Sequence, residues 1–202
     1  MCIKNDAWIR KMSAEHQMIT PFEPYQVREN GVISYGTSSF GYDMRIGSTF
    51  KIFRQTIGKL IRPKNIDRSV FHTTTVSGGQ TIMLPPNSYV LGYSVETFKV
   101  PDNILVLVIG KSTYARAGLI VNVTPGEPGW QGQWTVEIAN ATPLPIEIYP
   151  NEGIAQCIFY EGERPEVTYM DKNGKYQNQT GITLPLVEGF DDNNNSYNIT
   201  EM

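Results

Sequence analysis

A chain of 202 residues, 40% of them hydrophobic, is long enough to bury one sizeable core, and that length favours a single domain. Its formal net charge of −3 and pI near 5.4 exclude a global attraction to nucleic acid or to an anionic membrane surface, so any phosphate recognition has to be local. The N-terminal stretch MCIKNDAWIRKMSAEHQM lacks the apolar core of a secretory signal, and no run approaches the roughly 20 apolar residues of a membrane span. A soluble protein of the cytoplasm is the expectation, and the two cysteines, Cys2 and Cys157, suggest no disulfide framework.

In chain order, residues 5 to 18 carry a helical pattern, with Asn5 and Asp6 placed to cap the start and Trp8, Ile9 and Met12 close together on one face. From Ser34 the texture changes to short β-branched and aromatic runs: YDMRIGSTFKIF, QTIML, YVLGYSVETFKV, ILVLVIG, WTVEIAN, LPIEIYP and AQCIFYE. Gly78-Gly79, Pro85-Pro86-Asn87, Pro101-Asp102-Asn103 and Pro150-Asn151-Glu152-Gly153 punctuate these runs with turn chemistry. The spacing predicts a mainly β domain of hairpins, in a barrel or a sandwich. The last residues, EGFDDNNNSYNITEM, offer little apolar surface to offset the entropy of ordering, which predicts a flexible polar tail over 188–202.

A zinc-activated water needs a set of His and Cys ligands at short spacing. Here the only histidines are His16 and His72, and the cysteines lie far apart, so no zinc site is expected. The same scarcity weakens a Ser-His-Asp reading. In IGKSTYARAGL an apolar strand runs into Gly110 and then into Lys111, Ser112, Thr113 and Arg116, two hydroxyls and two cations suited to a polyphosphate. Ser112 and Arg116 are four apart and share a face on a helical turn. In WTVEIAN, strand alternation puts Trp134, Val136 and Ile138 on one side and Thr135, Glu137 and Ala139 on the other. Glu147 in LPIEIYP has the same pattern, and periodicity does not choose between these two carboxylates.

Taken together and in this order, GKSTYAR at 110–116, the Gly-Trp-x-Gly turn at 129–132 and TVE at 135–137 resemble the dCTP deaminases of the dUTPase-like superfamily. SSFGYDMRIGSTFKIF at 38–53 is similar to that family's early strand motif. NEGIAQCIFYE at 151–161 and GKYQNQTGITLP at 174–185 are similar to its late strand and its nucleotide-covering C-terminal segment. The resemblance runs over residues 1–187, which implies one dCTP deaminase-like domain there, a distorted β-barrel of the dUTPase-like (β-clip) type with a short N-terminal helix. It implies hydrolysis of dCTP to dUTP and ammonia, supplying dUTP for thymidylate synthesis. It further implies a homotrimer with shared active sites, magnesium bound through the triphosphate, and no zinc, nucleic-acid or membrane partner.

Carried over by position, the resemblance makes Glu137 the proton donor and acceptor and sets Ser112 and Arg116 beside the reacting water and base. Lys111, Ser112, Thr113, Tyr114, Ala115 and Arg116 become the nucleotide-binding loop, and Thr135, Val136 and Glu137 the strand that reads the base. Gln156, Tyr169, Lys175 and Gln179 become further contacts to the nucleotide. The pattern departs from some family members at PGEP, 125–128, where Glu127 takes the approximate place of an aspartate. Related dUTPases use an aspartate in this neighbourhood to activate water for pyrophosphate cleavage, so a dUTP diphosphatase or bifunctional enzyme is one alternative. A non-catalytic nucleotide-binding regulatory protein on the same fold is another.

Overall fold

The computed structural model describes residues 2–29, 31–54 and 59–187; the tail expected at 188–202 lies outside them. After a short strand β1 (Cys2–Ile3), the expected helix forms as α1 (Asp6–His16). The Asn5 side chain accepts the Trp8 amide at 3.1 Å, satisfying a donor that the first helical turn leaves without a partner. The helix ends where Gln17 turns left-handed, with φ 54. Ile9 is fully buried and the Trp8 ring lies 6.0 Å from that of Phe159, so the apolar side of α1 closes one end of the core.

The β texture resolves into β2 (Ile19–Thr20), β3 (Gly36–Ser38), β4 (Gly41–Arg45), β5 (Thr49–Phe53), β6 (Phe71–Thr75), β7 (Ile82–Leu84), β8 (Tyr89–Lys99) and β9 (Ile104–Gly110). A five-residue helix α2 (Ser112–Arg116) follows, then β10 (Leu119–Asn122), β11 (Gln131–Asn140), β12 (Ile146–Ile148) and β13 (Gly153–Glu161). Sequence reading missed the two-residue strands β1 and β2, the Thr-rich FHTTT run of β6, which has no apolar alternation, and β10, whose LIVN run past the Gly118 turn is only four residues long. The Gly78-Gly79, Asn87 and Asn151 turns take positive φ, as their composition predicts.

The described strands form three sheets, and none closes on itself. The first runs β1-β13-β4-β3 with β9 also on β13; the second runs β10-β11-β8-β5-β6 with β2 on β8; β7 and β12 make the third. The mainly β architecture is therefore realised as packed open sheets in place of a closed barrel. Between them lies one apolar core that includes Tyr42, Phe50, Phe98, Trp134, Val136, Ile138 and Phe159. Each such side chain contributes roughly 1.5–3 kcal/mol relative to exposure. A smaller cluster, Val70, Phe71 and Leu91, lies apart from this core, with Phe53, Ile66, Ile182 and Leu184 packed on it. Residues 162–187 follow β13 without further helix or strand and return to β11 as a strap; its Gln179 makes a parallel bridge with Gly132. At Gly132, with φ 149, a Cβ would stand 2.8 Å from the Gln179 carbonyl oxygen, so glycine is what allows this approach. Among the described residues no helix is long and apolar enough to cross a membrane.

One buried ion pair joins the first two sheets. Glu96 on β8 has no solvent exposure and accepts from the Arg45 amide at 2.9 Å, Arg45 Nε at 2.8 Å and the Tyr42 hydroxyl at 3.3 Å. Burial pushes the Glu96 carboxyl up, against the opposing pull of Arg45. Removing the cation alone strands a buried acid. Arg45→Met is expected to destabilise the fold by about 3–5 kcal/mol, read as a lower urea midpoint with an unchanged m-value.

Candidate active site

Strand β11 alternates as its sequence requires. Trp134, Val136 and Ile138 are buried in the main core, whereas Thr135, Glu137 and Ala139 are partly exposed on the opposite face. That opposite face is also largely covered. Glu137 lies across from Leu91 on β8 and from Asn122 on β10, and it borders a cavity of about 700 Å³. The second sheet supplies one wall through Phe53, Phe71, Tyr89, Leu91, Thr135 and Glu137. Ile61, Pro63 and Ile66 supply another, the turn at 124–127 a third, and the strap closes it with Tyr169, Lys175, Tyr176, Gln179, Thr183 and Pro185.

In these apolar surroundings Glu137 Oε2 is buried and has no hydrogen-bond partner. Burial pushes its carboxyl up to about 7 from an ordinary 4.5, only partly offset by a backbone hydrogen bond. The Tyr89 hydroxyl is raised as well, by its own burial first and then by the Glu137 charge. Glu147 is the contrasting case. It is exposed, and its carboxylate accepts from Thr81 Oγ1 at 3.1 Å and from the Tyr149 hydroxyl at 2.8 Å. Coverage separates the two glutamates that periodicity left equivalent. A desolvated carboxyl titrating near neutrality is suited to both accepting and donating a proton.

The residues carried over by position fall into two groups. Thr135, Glu137, Tyr169, Lys175 and Gln179 meet at the cavity. Val136, between Thr135 and Glu137, has no exposure and points into the core, leaving only its backbone toward the cavity side. Ser112, Thr113, Ala115 and Arg116 are exposed on α2 and do not border the cavity within one chain. Tyr114 is buried, and its hydroxyl accepts the Tyr149 amide at 3.0 Å. Lys111, expected at a phosphate, is held by its own fold: Nζ is 2.6 Å from Asp43 Oδ2 and 3.2 Å from Ser34 Oγ. Gln156 is on the first sheet and donates to Ser38 Oγ at 2.9 Å. Glu127 borders the cavity from the PGEP turn, with its carboxylate paired to Lys172 of the strap. Among the described residues no three His, Cys, Asp or Glu side chains gather closely enough to hold a metal ion.

Sequence reading missed the apolar wall of Phe53, Ile66, Phe71 and Leu91. Its signal was present in runs such as KIF and YVL, where adjacent apolar residues leave neither strand face polar; that pattern belongs to strands covered on both sides.

The comparisons with known proteins point one way. The sequence profile of the dCTP deaminase-like family matches residues 3–162. A dCTP deaminase of Campylobacter concisus is 55% identical over 188 residues, 93% of this chain and 99% of that protein. One of Herpetosiphon aurantiacus is 54% identical, again over 93% of this chain and over 100% of its own length. In fold, the chain is similar to the crystal structure of 2'-deoxycytidine 5'-triphosphate deaminase from Agrobacterium tumefaciens, with a TM-score of 0.59 at 16% identity. That similarity covers 79% of this chain and 48% of the other. With a family profile over most of its length and relatives this similar along nearly all of it, the chain belongs to the dCTP deaminase-like family.

Proposed function

We propose that the chain hydrolyses dCTP to dUTP and ammonia, with Glu137 as the general base and acid, supplying dUTP for thymidylate synthesis in the cytoplasm. The observation that carries this reading is the buried, unpartnered Oε2 of the Glu137 carboxylate in a largely apolar cavity. Glu137 takes one proton from water as the water oxygen adds to C4 of the cytosine, and delivers it to the ring nitrogen beside C4. The second water proton passes through the same carboxylate to the amine as the C4–N bond breaks. C4 keeps the oxygen as a carbonyl, ammonia leaves, and Glu137 returns to its starting state. The backbone along Thr135 to Glu137 reads the base edge, while Tyr169, Lys175 and Gln179 hold the nucleotide from the strap. Magnesium rides on the triphosphate, where it would neutralise phosphate charge.

The cavity holds no cation from α2, so we assign Ser112 and Arg116 to a pocket shared between chains of a homotrimer, with residues 1–187 of each chain acting as one domain. The partner subunit's Arg116 would then bring the positive charge that Glu137 lacks and favour its ionised form, and the partner subunit's Ser112 would orient the water. The alternative of pyrophosphate cleavage needs a free carboxylate at the PGEP turn, and Glu127 is engaged by Lys172.

Incubation with dCTP and magnesium is expected to release ammonia and dUTP; release of pyrophosphate instead would sink the reading. Glu137→Gln is expected to retain dCTP binding and to lose about 10²-fold or more in turnover, and near-normal turnover would remove Glu137 from the mechanism. Mixing inactive Glu137→Gln and Ser112→Ala chains after brief unfolding and joint refolding is expected to recover part of the activity, since some shared pockets then contain both intact groups. No recovery would place both residues in one chain's site.

The same glutamate sets a pH dependence of stability. Its carboxyl holds its proton more tightly in the folded chain, at about 7, than in the unfolded chain, at 4.5. Its stabilising contribution is therefore complete below 4.5 and is lost as the pH rises through 7. In urea unfolding without nucleotide, Glu137→Gln is expected to stabilise the chain at pH 8 by up to about 2 kcal/mol, allowing for residual solvent contact, and to give no gain below pH 4.5.

A further inference from the structure

Three successive residues on the cavity face of β11 carry polar side chains: Gln133, Thr135 and Glu137. The first two are bonded to the strap. Gln133 Oε1 accepts the Gly181 amide at 2.8 Å, while its Nε2 donates to the Ser94 and Val95 carbonyls at 2.9 and 3.2 Å. Thr135 Oγ1 accepts the Thr183 amide at 3.0 Å and donates to the Thr183 carbonyl at 3.4 Å. Glu137, the next residue on that face, receives no strap bond, and its Oε2 has no partner. The strap residues on either side of Thr183 are apolar: Ile182 and Leu184 pack on the cluster that contains Leu91, and Leu91 faces Glu137 across the β8–β11 pair.

We propose that Thr135 is a positioning residue: its hydroxyl clamps Thr183 to β11 so that Ile182 and Leu184 complete the apolar cover on Glu137's side of the sheet. The kinetic part of this inference rests on the function proposed above; the structural part does not. A strap residue bonded through both its amide and its carbonyl is fixed in height and in rotation, which aims its two apolar neighbours at the cluster. With the strap lifted, water reaches the carboxylate and the cause of its raised pKa weakens. The other titratable side chains bordering this cavity are Tyr89 from β8, Glu127 from the PGEP turn, and Tyr169, Lys175 and Tyr176 from the strap. Glu127 is paired with Lys172, and the Lys175 ammonium donates to the Leu186 carbonyl at 2.9 Å. Desolvation is the one influence that raises Glu137, and the partner subunit's Arg116 assigned above acts the other way in every variant alike, so loss of cover is what sets Thr135→Val apart.

The test compares Thr135→Val, which keeps the volume and loses both hydrogen bonds, with Thr135→Ser, which keeps the hydroxyl. Amide exchange across 179–187 and NMR titration of the Glu137 carboxyl are read on the full nucleotide-free chain, followed by pH profiles of kcat and KM with dCTP. In Thr135→Val the Gly181 and Thr183 amides are expected to exchange about 10-fold faster. Its Glu137 midpoint is expected to fall by about one pH unit, carrying the acid limb of kcat with it. Thr135→Ser, which keeps both hydrogen bonds, is expected to match the unsubstituted chain in strap exchange and in the Glu137 midpoint. A merely structural role would lower kcat without moving the midpoint. If Thr135→Val folds poorly, Ile182→Ser leaves β11 intact and is expected to lower the same midpoint from the strap side. Unchanged strap protection and midpoint in Thr135→Val, or a Thr135→Ser chain that behaves like Thr135→Val, overturns the clamp. A chain that releases no ammonia from dCTP overturns the proposed function and the kinetic part, while exchange and titration still decide the clamp.

Discussion

Burying a carboxylate with one oxygen left unpartnered opposes folding, so the surroundings of such a group must be held in place by interactions made elsewhere. Strand β11 carries that demand in this chain. Its inner side chains, Trp134, Val136 and Ile138, lie in the main core, and the Trp134 ring sits 4.5 Å from Trp130 and 4.3 Å from Phe98. This packing anchors the strand that presents Glu137 to the other side. The second apolar cluster and the strap then remove water from that side. A carboxyl held this way is sheltered before any ligand arrives, at the expense of some stability once it ionises.

Much of the scaffold was legible because local chemistry and global fold agree. Asn5 caps α1, the Gly and Asn turns fall where chain reversals occur, and the alternation in WTVEIAN assigned both faces of β11 correctly. β6 and β10 escaped because an exposed Thr-rich edge strand and a four-residue apolar strand leave no period to read. The environment of Glu137 was less legible. Alternation says which way a side chain points, not what covers it, and the covering residues come from β5, β6, β8 and a strap more than 40 residues downstream. The distinction from Glu147 therefore exists only in three dimensions.

The two groups of expected nucleotide contacts reflect the same limit. Motifs place residues in an order along the chain, while the sheets distribute them: GKSTYAR follows β9 of the first sheet and TVE lies in the second. Lys111 shows how a residue expected at a ligand can also be engaged by the fold. Its ammonium, next to Asp43 and Ser34, fixes the start of α2 against β4, and so determines where Ser112 and Arg116 emerge at the surface.

The return of the strap to β11 of its own chain, with Gln179 set against the bare backbone of Gly132, has a consequence for how the site behaves on dilution. A segment tethered to its docking strand meets it at an effective concentration of order millimolar, whatever the protein concentration. The cover over Glu137 thus forms as a first-order event within a single chain, whereas anything supplied by a second chain follows mass action. The shelter of the carboxylate is therefore set within one chain and does not change as the protein is diluted.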